Sequence, residues 1–527
     1  MHPSDAEVIR ATPCATPCAP EAARWILTAT ILASSMVFID ATVVNVALPA
    51  LQRALNASLV DVQWVIEAYA LFLAALLLVG GAAGDRFGRR LVFLLGVALF
   101  AISSLGCGLA GSVRELILAR AFQGIGGALL VPGSLSIISA SFTGQDRGKA
   151  IGTWSGATAI TTALGPVLGG WLIDHLSWRA IFFINLPLAF AVIAVAWRHV
   201  PESRNAGTQG NLDWPGALLV TLGLGGIVYA LIESSNTGWS HPRIFASFLL
   251  GVLALVSFIA VEMRQPAPMM PPRLFRSKVF VGANLLTFLL YAALGGSLFF
   301  VPLNLIQVQG YSTTAAGAAL LPLILLLAVL SRWSGGLVDR YGSKLPLVIG
   351  PTLAAGGFAL FAVPAVGGSY WATFFPATTL LGIGMSISVA PLTTTVMNSV
   401  EVDFAGAASG INNAASRVAA LLAVAVFGLV MASIFNGTLH GRLVRSELAP
   451  GVINAVEEQR SKLAAIELPA SADAQDAALA KRAIADAFVA GFRWIMLISA
   501  ALALASAASA WALIGSTRVR APASGLP

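Results

Sequence analysis

The chain has 527 residues, 57% of them hydrophobic and 10% charged, with a formal net charge of +7 and a mean hydropathy of +0.84. A soluble globular domain carries about 25% charged residues, so soluble-enzyme, nucleic-acid-binding and disordered classes are excluded. Continuous apolar runs, rather than alternating ten-residue strands, predict an all-α polytopic membrane protein.

Residues 1–24 form a polar, Pro-rich tail. Its Cys14 and Cys18, with Cys107, are the three cysteines, too few for a disulfide framework and without a partner histidine for a metal. Trp25–Pro49 carries Asp40 as its one charge and is too long for a signal-peptide core, so it reads as a retained first span. Further spans are predicted near 62–83, 91–110, 116–139, 150–173 and 180–197, then 214–232 and 244–262. The rest fall near 279–305, 315–337, 345–366, 371–397, 406–432 and 489–514, which makes fourteen. The stretch 433–488 is Ala-rich with mixed charge and reads as a loop of solvated helical pieces, and 515–527 is a second tail. Arg86, Arg89, Arg90, Arg147, Lys149 and Arg198 fall in loops on the side of residue 1, whereas the other side's short loops carry only Arg53, Arg114, Arg179 and Arg243. The positive-inside rule then makes both termini cytoplasmic and 433–488 extracytoplasmic, and the +7 charge a topology signal.

The chain repeats itself. Gly81-x-x-x-Asp85-Arg86-x-Gly88-Arg89-Arg90 recurs as Gly335-x-x-x-Asp339-Arg340-x-Gly342-Ser343-Lys344. The organisation is therefore six spans (25–198), two inserted spans (199–278) and six more (279–514). Duplicated six-helix halves around a midplane site are a secondary-transporter architecture. Gly88 suits a tight turn, and the arginines anchor the loop at the membrane surface. Asp85 is expected to cap the helix beginning near Gly406 and so latch the halves together; the alternative is a purely topogenic basic loop.

Other motifs follow in order. Arg120-x-x-Gln123-Gly124-x-Gly126 opens span four. Gly152 and Gly165-Pro166-x-x-Gly169-Gly170 lie in span five, and Asp40-x-Thr42-Val43-Val44-Asn45 in span one. With Trp178–Pro187 before span six, these resemble the major facilitator superfamily, and within it the fourteen-span drug:proton antiporter branch. Thr161 departs from the usual glycine of the span-five pattern. The resemblance implies the major facilitator fold, with two six-helix bundles and two extra central helices, and a proton-coupled exporter of amphipathic drugs or toxic compounds. It also implies that span five shapes the cavity. A dedicated metabolite transporter on the same fold is the alternative, with a non-transporting sensor or scaffold third. Physically, Gly152, Gly156, Gly165 and Gly169 should let helix backbones approach closely, and Pro166 permits a bend.

Charges inside the membrane cost at least about 2.5–3.5 kcal/mol each on insertion scales and mark function. Asp40, Glu67 and Arg120 are expected together in the outer half of the first bundle, where a change of exposure would couple proton uptake to export. A fixed Asp40–Arg120 brace is the competing reading, and Glu67 attracting cations another. Asn45, Gln123, Asn304, Gln307 and Arg417 either line the cavity or bond between helices, and Trp64, Tyr69, Tyr291 and Phe299 suit an apolar wall. The five scattered histidines form no metal motif, and no GxxxxGK[ST] is present, so neither an enzyme, a cofactor nor an ATP-driven pump is expected. The expected partners are a small-molecule substrate, protons and the bilayer of the inner membrane, with the protein a monomer.

Overall fold

The computed structural model describes residues 20–142, 144–204, 213–265, 270–401, 404–446 and 448–515; Cys14, Cys18 and both tails lie outside them. The described residues are helical throughout, and fourteen helices are long and apolar enough to cross a membrane. The first bundle comprises α1 (Pro20–Leu55), α2 (Leu59–Phe87), α3 (Arg89–Leu109), α4 (Val113–Ser141) and α5 (Gly144–His175), closed by α6 (Ala180–Phe183) and α7 (Asn185–His199) as one span. The inserted pair is α8 (Trp214–Thr237) and α9 (Pro242–Glu262). The second bundle begins with α10 (Lys278–Leu303), which runs on into a π turn at Asn304–Val308. It continues with α11 (Thr313–Ala318), α12 (Leu321–Gly335), α13 (Leu337–Tyr341), α14 (Lys344–Phe361), α15 (Tyr370–Asn398) and α16 (Ala405–Val444). After α17 (Pro450–Glu458), α18 (Ala474–Leu513) completes it.

Local chemistry sets many of these ends. Ser58 and Asp61 form a capping box at the start of α2, and Ser112, Asp213, Ser277 and Ser312 cap α4, α8, α10 and α11. At the other end of α2, Gly88 has φ +120°, a conformation that side chains rarely adopt. We call the end with Arg86–Arg90 the basic end.

Small residues bring helices together. α3 and α4 cross at Gly96 and Gly126, where a Cβ on Gly126 would lie 2.6 Å from the Phe100 backbone nitrogen. Backbone cannot yield as a side-chain tip does. Gly126→Val is therefore expected to lower stability by about 1–3 kcal/mol, read as a fall in the melting temperature of the purified protein.

α8 wedges between α2 and α16, burying Leu224, Val228 and Ile232 against Val60, Leu71, Leu421 and Ala425, while α9 packs on its outer side. The insert thus lines one seam between the bundles, and α5 against α11 forms the other. The 433–488 stretch differs from expectation: α16 runs to Val444 and α18 begins at Ala474, so the connection is only 445–473. Nor is it fully solvated. Leu448, Val452, Val456 and Leu463 are buried, and a 3₁₀ turn at Arg460–Ala465 rests on α1, α2, α16 and α18, away from the basic end. Its apolar side chains gain a dry surface where the two bundles meet beneath it.

Candidate functional site

The centre of the first bundle holds a polar cluster. Arg120 and Gln123 lie one turn apart on α4 and face Asp40 of α1. Arg120 Nη1 donates to Asp40 Oδ2 and to Gln123 Oε1 (2.7 Å), and Gln123 Nε2 donates to Asp40 Oδ1 (3.0 Å). Arg120 Nε donates to the Val65 carbonyl (3.0 Å), and its guanidinium lies 4.1 Å from the Tyr69 ring centroid. Ser104 Oγ accepts from Gln123 and Asn185 and donates to the Phe182 carbonyl. Asp40, Arg120 and Gln123 are each at most 1% exposed. The pair tolerates its burial because each charge meets both an opposite charge and further hydrogen bonds.

Glu67 stands apart. It is 1% exposed, and neither carboxyl oxygen has a hydrogen-bond partner. Glu67 thus lies in the first bundle with Asp40 and Arg120 but outside their hydrogen bonds, and Gln123 is the third member of their cluster. The cause is azimuth: Val65 turns its carbonyl to Arg120, and Glu67, two residues on, points about 200° round the helix. Gln63, one turn before Glu67, donates to the Val424 carbonyl of α16 at 2.8 Å, so Glu67 belongs to the α2–α16 seam.

The two bundles meet firmly at the end away from the basic loops. Asp174 at the end of α5 accepts from Thr313 N (3.1 Å), Thr314 N (2.8 Å) and Thr314 Oγ1 (2.7 Å), which start α11. Gln307 Nε2 donates to Gln52 Oε1 at 2.7 Å across the same seam. Gly170 lies against Thr313–Thr314, and Gly317 against the Pro166 carbonyl, both too tightly for a Cβ. Gly152 precedes Gly170 by 18 residues, five whole turns, and so lies on the same α5 face. Yet nothing lies within 4 Å of where a Cβ on Gly152 or Gly156 would sit. Along this seam α5 thus parts from the second bundle toward the basic end and leaves a cleft, while α16 stays against α2 at Gly410 and Leu78. Close approach along α5 is confined to Gly165 and Gly169, which meet Thr42 and Val43 of α1, and to Gly170; the expectation for Gly152 and Gly156 is corrected. Replacing Asp174 with Ala removes the tie, and the sealed end is expected to open more often. Spin labels at Leu176 and Val366 would report this as a longer distance population.

The expected cavity residues sort differently from one another. Asn45 is half-buried and donates to the Ala41 carbonyl, and Arg417 is half-buried in the body of α16. Gln123 is fully buried in the Asp40 cluster, Asn304 accepts from Gln309 in the π turn, and Gln307 belongs to the seal. Residues missed from sequence include Asp174, which belongs to none of the motifs and lies at the end of span five.

At the basic end, Asp85 accepts from Arg89 (2.8 Å), and Glu202 accepts from the backbone of Arg90 and Leu91. Asp85 thus bonds within its own loop rather than to α16, which has no side-chain cap. In the second copy Gly342 has φ +76° and Arg340 packs on Tyr341, while the Asp339 side chain lies outside what the structure describes.

Comparison with known proteins gives a consistent picture. The pattern that defines the Major Facilitator Superfamily matches residues 30–424. The chain is 33% identical to a tetracenomycin C resistance and export protein of Streptomyces glaucescens, over 90% of this chain and 88% of that one. It is 36% identical to a puromycin resistance protein of Streptomyces alboniger, over 82% and 90% respectively. A multidrug resistance protein of Mycobacterium tuberculosis is 34% identical over 80% and 78%. In fold it is similar to a bacterial homologue of the human lysosomal transporter Spinster (TM-score 0.65, 18% identity, 94% of this chain and 97% of that one). The xylose transporter of E. coli superposes with a TM-score of 0.59 at 15% identity, covering 94% and 97%.

Proposed function

The chain belongs to the Major Facilitator Superfamily, and from that premise we propose that it exports amphipathic drugs or toxic organic compounds in exchange for protons. The proposal places it in a bacterial inner membrane as a monomer, with the basic end and both termini in the cytoplasm. Residues 25–198 and 279–514 then rock as two halves about the cleft, carrying 199–278 along one seam. The names of its relatives support drug export. The observation that carries proton coupling is Glu67, a buried acid without a partner beside the seam that must move.

An isolated carboxylate is very costly to bury, whereas a protonated acid is neutral. Glu67 therefore gives up its proton only when water or a cationic group reaches it. Opening the cleft to the cytoplasm supplies one or the other as substrate enters, and the proton leaves inward. Opening the far end, after the Asp174–Thr314 and Gln52–Gln307 contacts part, lets an outside proton return and substrate depart. While paired, Asp40 and Arg120 hold α1, α2 and α4 together, and Asp40 shares the coupling at the step of the cycle in which the pair parts. The Asp85 loop latches onto the start of α16 when the basic end closes.

The test is transport in proteoliposomes under an imposed pH gradient, with a panel of lipophilic dyes and antibiotics and a pH indicator inside. Substrate-driven proton movement is the expected result. Transport indifferent to collapse of the gradient would rule out antiport.

A further inference from the structure

A proton returning from the far side needs a route to Glu67, and the packing of α2 against α8 and α16 marks one. At the sealed end of this seam lies a cavity of about 220 Å³, covered by the 3₁₀ turn Arg460–Ala465. Its wall is polar at Ser235 and Asn236 of α8, Asn436 of α16 and Arg460 of the turn. A polar space of this size holds water, and the buried Asn436 Oδ1 has no hydrogen-bond partner within the protein. Val60 of α2 and Ala432 of α16 also line it, and from there the two helices run antiparallel toward the basic end.

Glu67 lies seven residues beyond Val60, two turns and about 10 Å along the same face of α2. Leu71, one turn further, packs with Leu421 and Ala425 of α16 and Val228 of α8, so the acid sits within an apolar stretch of the seam. Gln63 stands between the cavity and the acid. Its Nε2 donates to the Val424 carbonyl at 2.8 Å, and its side chain lies on the bare backbone of Gly428, too close for a Cβ there. Gly428 is one turn from Ala432 in the cavity wall, and Gln63 is one turn from Glu67. The side chain is 1% exposed and so fills this step completely. None of the charged groups along the seam bonds to Glu67. Glu233 of α8 accepts from Trp64 at 3.0 Å, Glu458 and Arg460 line the cavity, and Arg417 lies two turns nearer the basic end than Val424.

We propose that Gln63 is the gate on the outside proton's route to Glu67. Bonded to Val424, it closes the cavity off from the acid. When the sealed end opens and α16 parts from α2, that bond breaks and water follows into the seam. A proton then passes from this water to the Glu67 carboxylate and leaves the neutral acid. The inference rests on the exporter reading, with Glu67 as carrier, and adds the route and its gate. Glutamine suits the position because its amide does not titrate: it fills the step and holds the facing helix without competing for the proton.

Proton leak tests the gate. Proteoliposomes of the full chain, loaded with a pH indicator, are given an acid-outside gradient without substrate. The parent should hold the gradient. Gln63→Ala leaves room for water beside Glu67 and should raise the leak by about tenfold or more, because a wet path replaces a dry contact. Combining it with Glu67→Gln should abolish the leak. Gln63→Leu loses the bond to Val424 but still fills the step with apolar atoms, and should stay tight. A tight Gln63→Ala overturns the proposal, as does a leak that survives Glu67→Gln or a Gln63→Leu that leaks as the alanine does, which would make Gln63 a mere tie. If Gln63→Ala does not fold, Gln63→Ser leaves nearly the same room, and its tightness overturns the proposal equally. Substrate-driven proton movement by the parent is measured separately. A parent without it fails the exporter reading and the gate with it, whereas a coupled parent with a tight Gln63→Ala fails the gate alone.

Discussion

Asp40→Ala is expected to lower stability by about 3–5 kcal/mol and abolish transport, because it leaves Arg120 as a bare cation in the middle of a bundle. The other contacts of Arg120, to the Val65 carbonyl, Gln123 and the Tyr69 ring, are dipoles and a quadrupole that only partly offset a full charge. Removing both charges should behave differently. Asp40→Asn with Arg120→Gln keeps hydrogen-bonding groups of similar size and leaves no uncompensated ion, so the double variant should recover most of the lost stability. It should not recover gradient-driven transport. Melting temperature and vesicle transport, measured on the two single variants and the double, decide the matter. Recovered transport in the double variant would reduce Asp40–Arg120 to a brace.

Glu67→Gln is expected to give the opposite pattern: stability within about 1 kcal/mol of the parent and loss of proton-coupled export. The glutamine mimics the neutral acid and adds no charge to the seam. Substrate should still bind, and counterflow, which needs no proton, should persist. Release of protons on substrate addition should disappear. If Glu67→Gln keeps full proton release, the carrier is another group, and Asp40 becomes the candidate.

The two variants separate because the two acids differ in surroundings, not in depth, and this marks the limit of reading from sequence. Rarity of charge in apolar spans singled out Asp40, Glu67 and Arg120, since each costs free energy that a neutral residue would not. Span lengths gave their approximate levels in the membrane. What the spacing did not supply was the rotation of each helix relative to its neighbours, and about 200° of rotation parts Val65 from Glu67. The same gap explains Gln123 and Gly152. Gln123 looked like a cavity residue and is sealed beneath Asp40, while Gly152 looked like a packing contact and faces the cleft.

Asp174 and Leu463 show a second gap. Asp174 gains its role only when α11 presents two free N–H groups from the other bundle, 139 and 140 residues away in sequence. Leu463 is 3% exposed because the surface it covers is built from helices far apart in the chain. Neither fact has a local signature.

The sequence by itself determined that this is a helical membrane protein of fourteen spans, arranged as six, two and six, and in which loops the positive charge gathers. Those properties depend on composition, span length and repetition, which are local and additive along the chain. Only the tertiary structure decided which polar groups pair, which end is sealed and which buried acid has no partner. These depend on azimuth and on contacts between bundles, where one turn of a helix separates a neutralised ion from an unpartnered one.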